Sequence, residues 1–225
     1  MDIKLVIFDM AGTTVNDEDG VNRSVRAALA NVGISVTRDA VNEVMGIPKP
    51  IALRRLIEAS SQPERLADLD AIHADFVSRM IAFYETDQSV HEIAGSADTF
   101  RKLHDAGVKV ALDTGFTRDI VDVVLKRLGW KDSDLIDTTV TSDEVERGRP
   151  HADMVAKAMR DTGITDPKQV AKVGDTPADL EEGNNAGCGA VIGVTAGSHT
   201  AAQLKPCRHT HLVETVVDVP AALGL

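Results

Sequence analysis

Apolar residues in this chain gather in short runs, some broken by polar residues and the one at 135–141 less pure, separated by stretches with helical spacing. Runs at 5–8, 108–112, 135–141, 170–173 and 190–194 have the length of buried strands, and 211–213 has that of a short edge strand. Between them, 97–106 carries Phe100 and Leu103 on one face and stops at Gly107. The stretch 117–128 repeats Ile120, Val121, Val124 and Leu128, 151–159 follows Pro150, and 179–186 stops at Gly187. Glycine just past the last periodic position is a common helix terminator. From about residue 95 onward strand and helix alternate, which predicts an α/β fold with a parallel, doubly wound sheet.

The rhythm breaks between 16 and 90, where helix follows helix with no clear strand. Val21, Val25, Leu29 and Val32 form one apolar face closed by Gly33. Ile51, Leu53, Leu56 and Ile57 form another, and 66–83 reads as one long helix or two. The expected organisation is a core of residues 1–15 and 91–225, with 16–90 as a helical cap. The insert leaves beside the end of the first strand, so it is expected to lie over that end as a lid.

Composition narrows the class. The chain has 225 residues, 43% hydrophobic, enough for one full core and a small appended unit. Its 24 Lys+Arg against 35 Asp+Glu give a net charge of −11, opposite to the basic balance of a nucleic-acid binder. Cys188 and Cys207 form no metal-type or disulfide pattern, and Cys188 is expected to be a small buried residue. No run reaches membrane-spanning length, and Asp2 leads straight into a strand, so the expectation is a cytoplasmic protein with no membrane partner.

Chemistry gathers at the strand ends, where open α/β folds bind ligands. Asp9 ends the first run, ahead of Met10-Ala11-Gly12-Thr13-Thr14. Asp113-Thr114-Gly115 ends the second, a hydroxyl and a glycine amide suited to a phosphate, or an ordinary turn with Thr117 as the helix cap. Arg149, between Gly148 and Pro150, is a bidentate cation for phosphate oxygens, or alone a surface arginine. Asp175-Thr176-Pro177-Ala178-Asp179 ends the fourth run with two hard oxygen ligands of the kind that suit Mg²⁺; Asp179 alone would read as a helix-start acid. The histidines are scattered without metal-ligand spacing, and His151 beside Arg149 reads as a helix cap.

In this order the four segments resemble the haloacid dehalogenase-like hydrolase superfamily over nearly the whole chain. The resemblance implies a Rossmann-like core with an inserted helical cap, and a nucleophile at Asp9 that forms a phosphoaspartate. It implies Mg²⁺ held by Asp9, the Ala11 carbonyl and Asp175, with Thr176 and Asp179 supporting them. Ala11, Gly12, Met45, Thr114, Gly115, Phe116 and Arg149 are expected around the phosphoryl group and substrate.

Ala11 narrows this further. Ordinary phosphatases of the superfamily carry an aspartate there that protonates the leaving alkoxide, help worth on the order of 10²–10⁴-fold. The sequence resembles the phosphonoacetaldehyde hydrolase (phosphonatase) branch. That branch reads Asp-x-Ala-Gly-Thr-Thr at the first strand, uses arginine at the position of Arg149, and carries Met-Gly-x-x-Lys in the cap, here Met45-Gly46-Ile47-Pro48-Lys49. Its lysine forms an imine with the substrate aldehyde, and the imine accepts the electrons of the breaking C–P bond. Pro50 suits the first helical position, which sets Lys49 at a helix N-terminus, where the dipole favours the neutral amine; the alternative is a solvated lysine.

Two positions depart from the branch: Ala52 stands where it has a histidine, and Met10 where it has a tryptophan. The expected substrate is phosphonoacetaldehyde or a related phosphonate. The alternatives are a phosphatase acting on a small phosphate monoester and, less favoured because Asp9, Thr114, Arg149 and Asp175 are all kept, a non-catalytic phospholigand binder. Val21, Val25 and Leu29 offer a homodimer contact through the cap, or packing within it.

Overall fold

The computed structural model describes residues 2–225. Six strands form one parallel sheet: β1 (Leu5–Asp9), β4 (Lys109–Thr114), β5 (Thr138–Thr141), β6 (Val170–Gly174), β7 (Ala190–Val194) and β8 (His211–Val213). Their order is β5-β4-β1-β6-β7-β8. The chain winds outward from β1 in both directions, which makes the C-terminal end of β1 the place where strand order reverses. Register aligns Asp9 with Asp113, so two carboxyl-bearing ends sit side by side. All five residues of β1, β6 and β7 are buried, as expected for strands covered on both faces.

The core helices are α5 (Ser96–Asp105), α6 (Arg118–Arg127), α7 (Asp153–Thr162), α8 (Pro177–Asn185), α9 (Ala201–Leu204) and α10 (Val219–Leu223). The run 135–141 yields a strand only over its last four residues; Leu135 and Ile136 pack on the core from the preceding loop. His151 lies ahead of α7, whose cap position is Ala152, so it is not the cap. Thr117 occupies the cap position of α6, but its hydroxyl makes no hydrogen bond there. The Asp143 carboxylate accepts the Arg118 amide instead.

The insert holds α1 (Gly20–Asn31), α2 (Arg38–Asn42), α3 (Lys49–Glu58) and α4 (Leu69–Thr86). The stretch 66–83 divides into a 3-10 turn, Pro63–Asp68, and α4. A two-stranded antiparallel ribbon, β2 (Val15–Asn16) with β3 (His91–Glu92), joins insert to core; its pairs are Val15 with Glu92 and Asn16 with His91. Val21, Val25 and Leu29 are buried inside the chain, so the apolar face of α1 is spent within the cap and not on a second subunit. α3 begins at Lys49 itself, with Pro48 as its cap and Pro50 second, one residue earlier than the proline predicts. Among the described residues no helix is long and apolar enough to cross a membrane.

Candidate active site

A cavity of about 240 Å³ lies between the strand ends and the insert. Asp9, Ala11 and Gly12 reach it from the end of β1. Thr114, Gly115 and Phe116 reach it from β4, Arg149 from the loop before α7, and Thr176 from the start of α8. Met45, Gly46 and Lys49 form its roof. Asp175 and Asp179 lie just beneath, both fully buried. The strands and the roof loop thus bring all the candidate residues to one place.

Glycines let the roof come down. A Cβ on Gly115 would stand 2.8 Å from the Ile47 carbonyl oxygen, and one on Gly46 would meet the Thr176 hydroxyl. Ile47, Ala52 and Ala178 close the seam as a small apolar cluster. Ala52 therefore packs against the core, and its methyl offers nothing to a proton.

Arg149 is the hub of the floor and is 1% exposed. Its Nη1 donates to Asp9 Oδ1 at 2.6 Å, Nη2 to Asp113 Oδ1 at 2.5 Å, and Nε to Glu182 Oε2 at 3.0 Å. Asp179 Oδ1 lies 3.0 Å from Nη1. Lys172, also buried, pairs with Asp113 and reaches Glu182 Oε2 at 3.0 Å and Asp179 Oδ1 at 3.3 Å. Burial disfavours a charged Asp113, yet Arg149 and Lys172 together hold it below the usual carboxylate range. Burial, then Asp113, pushes Glu182 up to about 8.

Lys172 and Glu182 join the floor although neither belongs to a strand-end motif. One signal was available: a lysine inside the apolar run Val170-Ala171-Lys172-Val173, which a doubly covered sheet can only bury. Glu182 follows Asp179 by three residues and so shares its helix face.

Asp179 serves two ends. Its Oδ2 accepts from the Thr176 amide at 3.1 Å and hydroxyl at 2.5 Å, closing the capping box of α8, while Oδ1 faces the cations. It is both a helix-start acid and part of the charged floor.

Lys49 is 5% exposed. Its Nζ lies 3.4 Å from the Ile47 carbonyl oxygen and 5.5 Å from the centre of the Phe116 ring. Burial pulls its pKa down to about 8, against the attraction of Asp9. A solvated lysine is therefore not what the fold provides.

The residues present fit a divalent cation. Asp9, Asp175 and Asp179 offer carboxylate oxygens within 4.8 Å of one another, all buried. The Asp179 oxygen facing the cations has no aligned hydrogen bond. At Gly12, φ +89°, a Cβ would stand 2.6 Å from Asp175 Oδ2, so the cradle closes only around a residue with no side chain. Burial is the main cause that drives Asp9 and Asp175 above the usual carboxylate range. Asp179 raises both further, and Asp175 also raises Asp9. Hard oxygens carrying surplus negative charge suit Mg²⁺.

The sequence model of the haloacid dehalogenase-like hydrolases matches residues 6–193. A phosphonoacetaldehyde hydrolase from Bacillus cereus is 32% identical over 212 residues, covering 88% of this chain and 78% of that protein. Among solved structures, a phosphonoacetaldehyde hydrolase-like protein from Oleispira antarctica matches with a TM-score of 0.86 at 21% identity, over all of this chain and 92% of that one. CbbY from Rhodobacter sphaeroides, solved with phosphate, matches at 0.81 and 19% identity over 99% of this chain and 100% of that one. These two structures share the fold. Sheet order, inserted helices and the sequence matches agree: the chain belongs to the haloacid dehalogenase-like hydrolases, on their phosphonatase-like branch.

Proposed function

We propose that this hydrolase cleaves the C–P bond of phosphonoacetaldehyde or a closely related phosphonate aldehyde. The observation that carries the reading is the lysine: Lys49 is buried, with a lowered pKa, in the same cavity as Asp9, while Ala11 supplies no acid for an alkoxide. Residues 16–90 act in it as the cap over a core of 1–15 and 91–225.

The neutral Lys49 amine adds to the aldehyde carbon and, with loss of water, becomes an imine that takes up a proton. An Asp9 oxygen attacks phosphorus. The electron pair of the C–P bond moves into the iminium and leaves an enamine, with the phosphoryl group on Asp9. Water hydrolyses the phosphoaspartate to phosphate and carboxylate. The enamine takes a proton on carbon, and a second water releases the aldehyde and restores Lys49. An amine must be neutral to attack, and burial, by bringing Lys49 down to about 8, gives it a usable neutral fraction near neutral pH.

Arg149 fixes Asp9 through Oδ1 and leaves Oδ2 to the phosphorus. In this mechanism Thr114 and the Gly115 amide hold phosphoryl oxygens, and Gly12, Met45 and Phe116, which line the same cavity, close the space around them. Mg²⁺, held by Asp9, the Ala11 carbonyl and Asp175 with Thr176 and Asp179 in support, would neutralise charge on the phosphoryl group.

The test is to incubate the protein with phosphonoacetaldehyde, reduce with borohydride and locate the adduct by mass spectrometry. A reduced adduct on Lys49 is expected, together with loss of turnover in Lys49→Ala and in Asp9→Asn. No adduct, or full turnover in Lys49→Ala, overturns the imine. Rapid hydrolysis of phosphate monoesters without C–P cleavage would make the protein a phosphatase of the same fold.

A further inference from the structure

Asp175 is held from two sides. Thr13 Oγ1 donates to its Oδ1 at 3.1 Å. On the other side the loop after β7 reaches over, and Ser198 donates to Oδ2 twice, from its amide at 2.6 Å and from its hydroxyl at 2.5 Å. A carboxylate offers about four acceptor positions. Ser198 takes both on Oδ2 and Thr13 one on Oδ1, so one lone pair, on Oδ1, is left for a cation.

Ser198 itself lines the cavity, while Asp175 beneath it is fully buried. Gly197 makes the approach feasible, since a Cβ there would run into the Asp175 side chain. The Ser198 hydroxyl, having donated to Asp175, can accept from His199 Nδ1, 3.2 Å away, when that nitrogen carries the proton. His199 is nearly buried, which holds this end of the relay in place.

We propose that Ser198 is a positioning residue for the metal centre. It clamps Asp175 as a one-oxygen ligand and so couples the β7 loop, a wall of the substrate cavity, to cation affinity. This rests on the assignment of Asp175 as a Mg²⁺ ligand. Hydrogen-bonded partners of a metal-binding carboxylate typically change affinity by about 10–100-fold. Ser198→Ala keeps the amide donor and loses the hydroxyl, which puts the expected effect near the lower end.

The experiment is calorimetric titration of the metal-free full-length protein with Mn²⁺ as the probe. The wild type is compared with Ser198→Ala, Gly197→Ala and Asp175→Asn, each checked for an unchanged circular-dichroism spectrum. Ser198 lies on the cavity surface, so loss of its hydroxyl leaves the core packing intact. Binding about tenfold weaker in Ser198→Ala, and at least as weak in Gly197→Ala, is the expected result. Affinity within twofold of wild type in both variants overturns the clamp, and so does tighter binding in Ser198→Ala, which would mean that the hydroxyl competes with the cation. Asp175→Asn separates the two readings: if it abolishes binding, the metal assignment stands whatever Ser198 does; if it binds as wild type, the metal assignment itself falls.

Discussion

Lys49 carries an energetic cost that its chemistry explains. Its pKa falls from 10.5 to about 8 because burial penalises the ammonium. The native state therefore binds fewer protons than the unfolded chain between those values, and native stability rises with pH across that window. Below about 8 the full penalty is felt, and at 1.36 kcal/mol per pH unit it is roughly 3 kcal/mol. Lys49→Met is accordingly expected to be more stable than wild type at pH 7 by up to that amount, with the difference vanishing above pH 10.5, while C–P cleavage is lost. Urea unfolding at pH 7 and pH 10.5 measures it. A variant less stable than wild type at pH 7 would mean that the amine is well solvated or well paired. Activity should rise with pH around 8, as the buried amine loses its proton, and level off well below pH 10.5.

At the scale of elements, the roof loop works by contact and tolerates little. The carbonyl of Ile47 passes where a side chain on Gly115 would be, and Gly115 has an ordinary negative-φ backbone, so Gly115→Ala tests sterics alone. Displacing the roof by about 1 Å carries Lys49 with it, and misplacement of that size costs on the order of 10²-fold in rate. A loss of kcat/KM near that size, with little change in melting temperature, is expected. Unchanged kinetics would show that the loop does not set the position of Lys49.

The elements also show where sequence reading succeeds and stops. The runs at 5–8, 170–173 and 190–194 are apolar, with Lys172 the one charged interruption, because both faces of the sheet are covered, and they appear as strands. The ribbon strands have two residues each, too few to show a period, and α2 has five. The strand-end segments could be read because their residues are adjacent in sequence. The Arg149–Glu182–Lys172 cluster could not be read as a cluster, because its members come from a loop, a helix and a strand, and nothing along the chain links them. Its cohesion exists only once β4, β6 and α8 are side by side.

For the whole molecule, the buried floor is electrically unbalanced. Four carboxyl groups (Asp9, Asp113, Asp179 and Glu182) crowd two cations, Arg149 and Lys172, and a fifth, Asp175, lies beside them, held by Thr13 and Ser198. The chain as a whole is also negative, at −11. A divalent cation that binds only the native state stabilises it by mass action, by about 2.7 kcal/mol at one hundred times its Kd. Mg²⁺ is therefore expected to raise the melting temperature by several degrees, and EDTA to reverse the shift. A melting curve indifferent to both would contradict the metal assignment.

The β2–β3 ribbon has a consequence for descent. Because Val15 faces Glu92 and Asn16 faces His91, the chain leaves the core and returns to it at one spot, and the two ends of the insert are neighbours. The helical unit between them can lengthen, shrink or be exchanged for another without a single sheet contact being redrawn. Selection can therefore act on what enters the cavity separately from the phosphoryl chemistry beneath it, and Met45, Lys49 and Ala52 belong to the portion that is free to diverge.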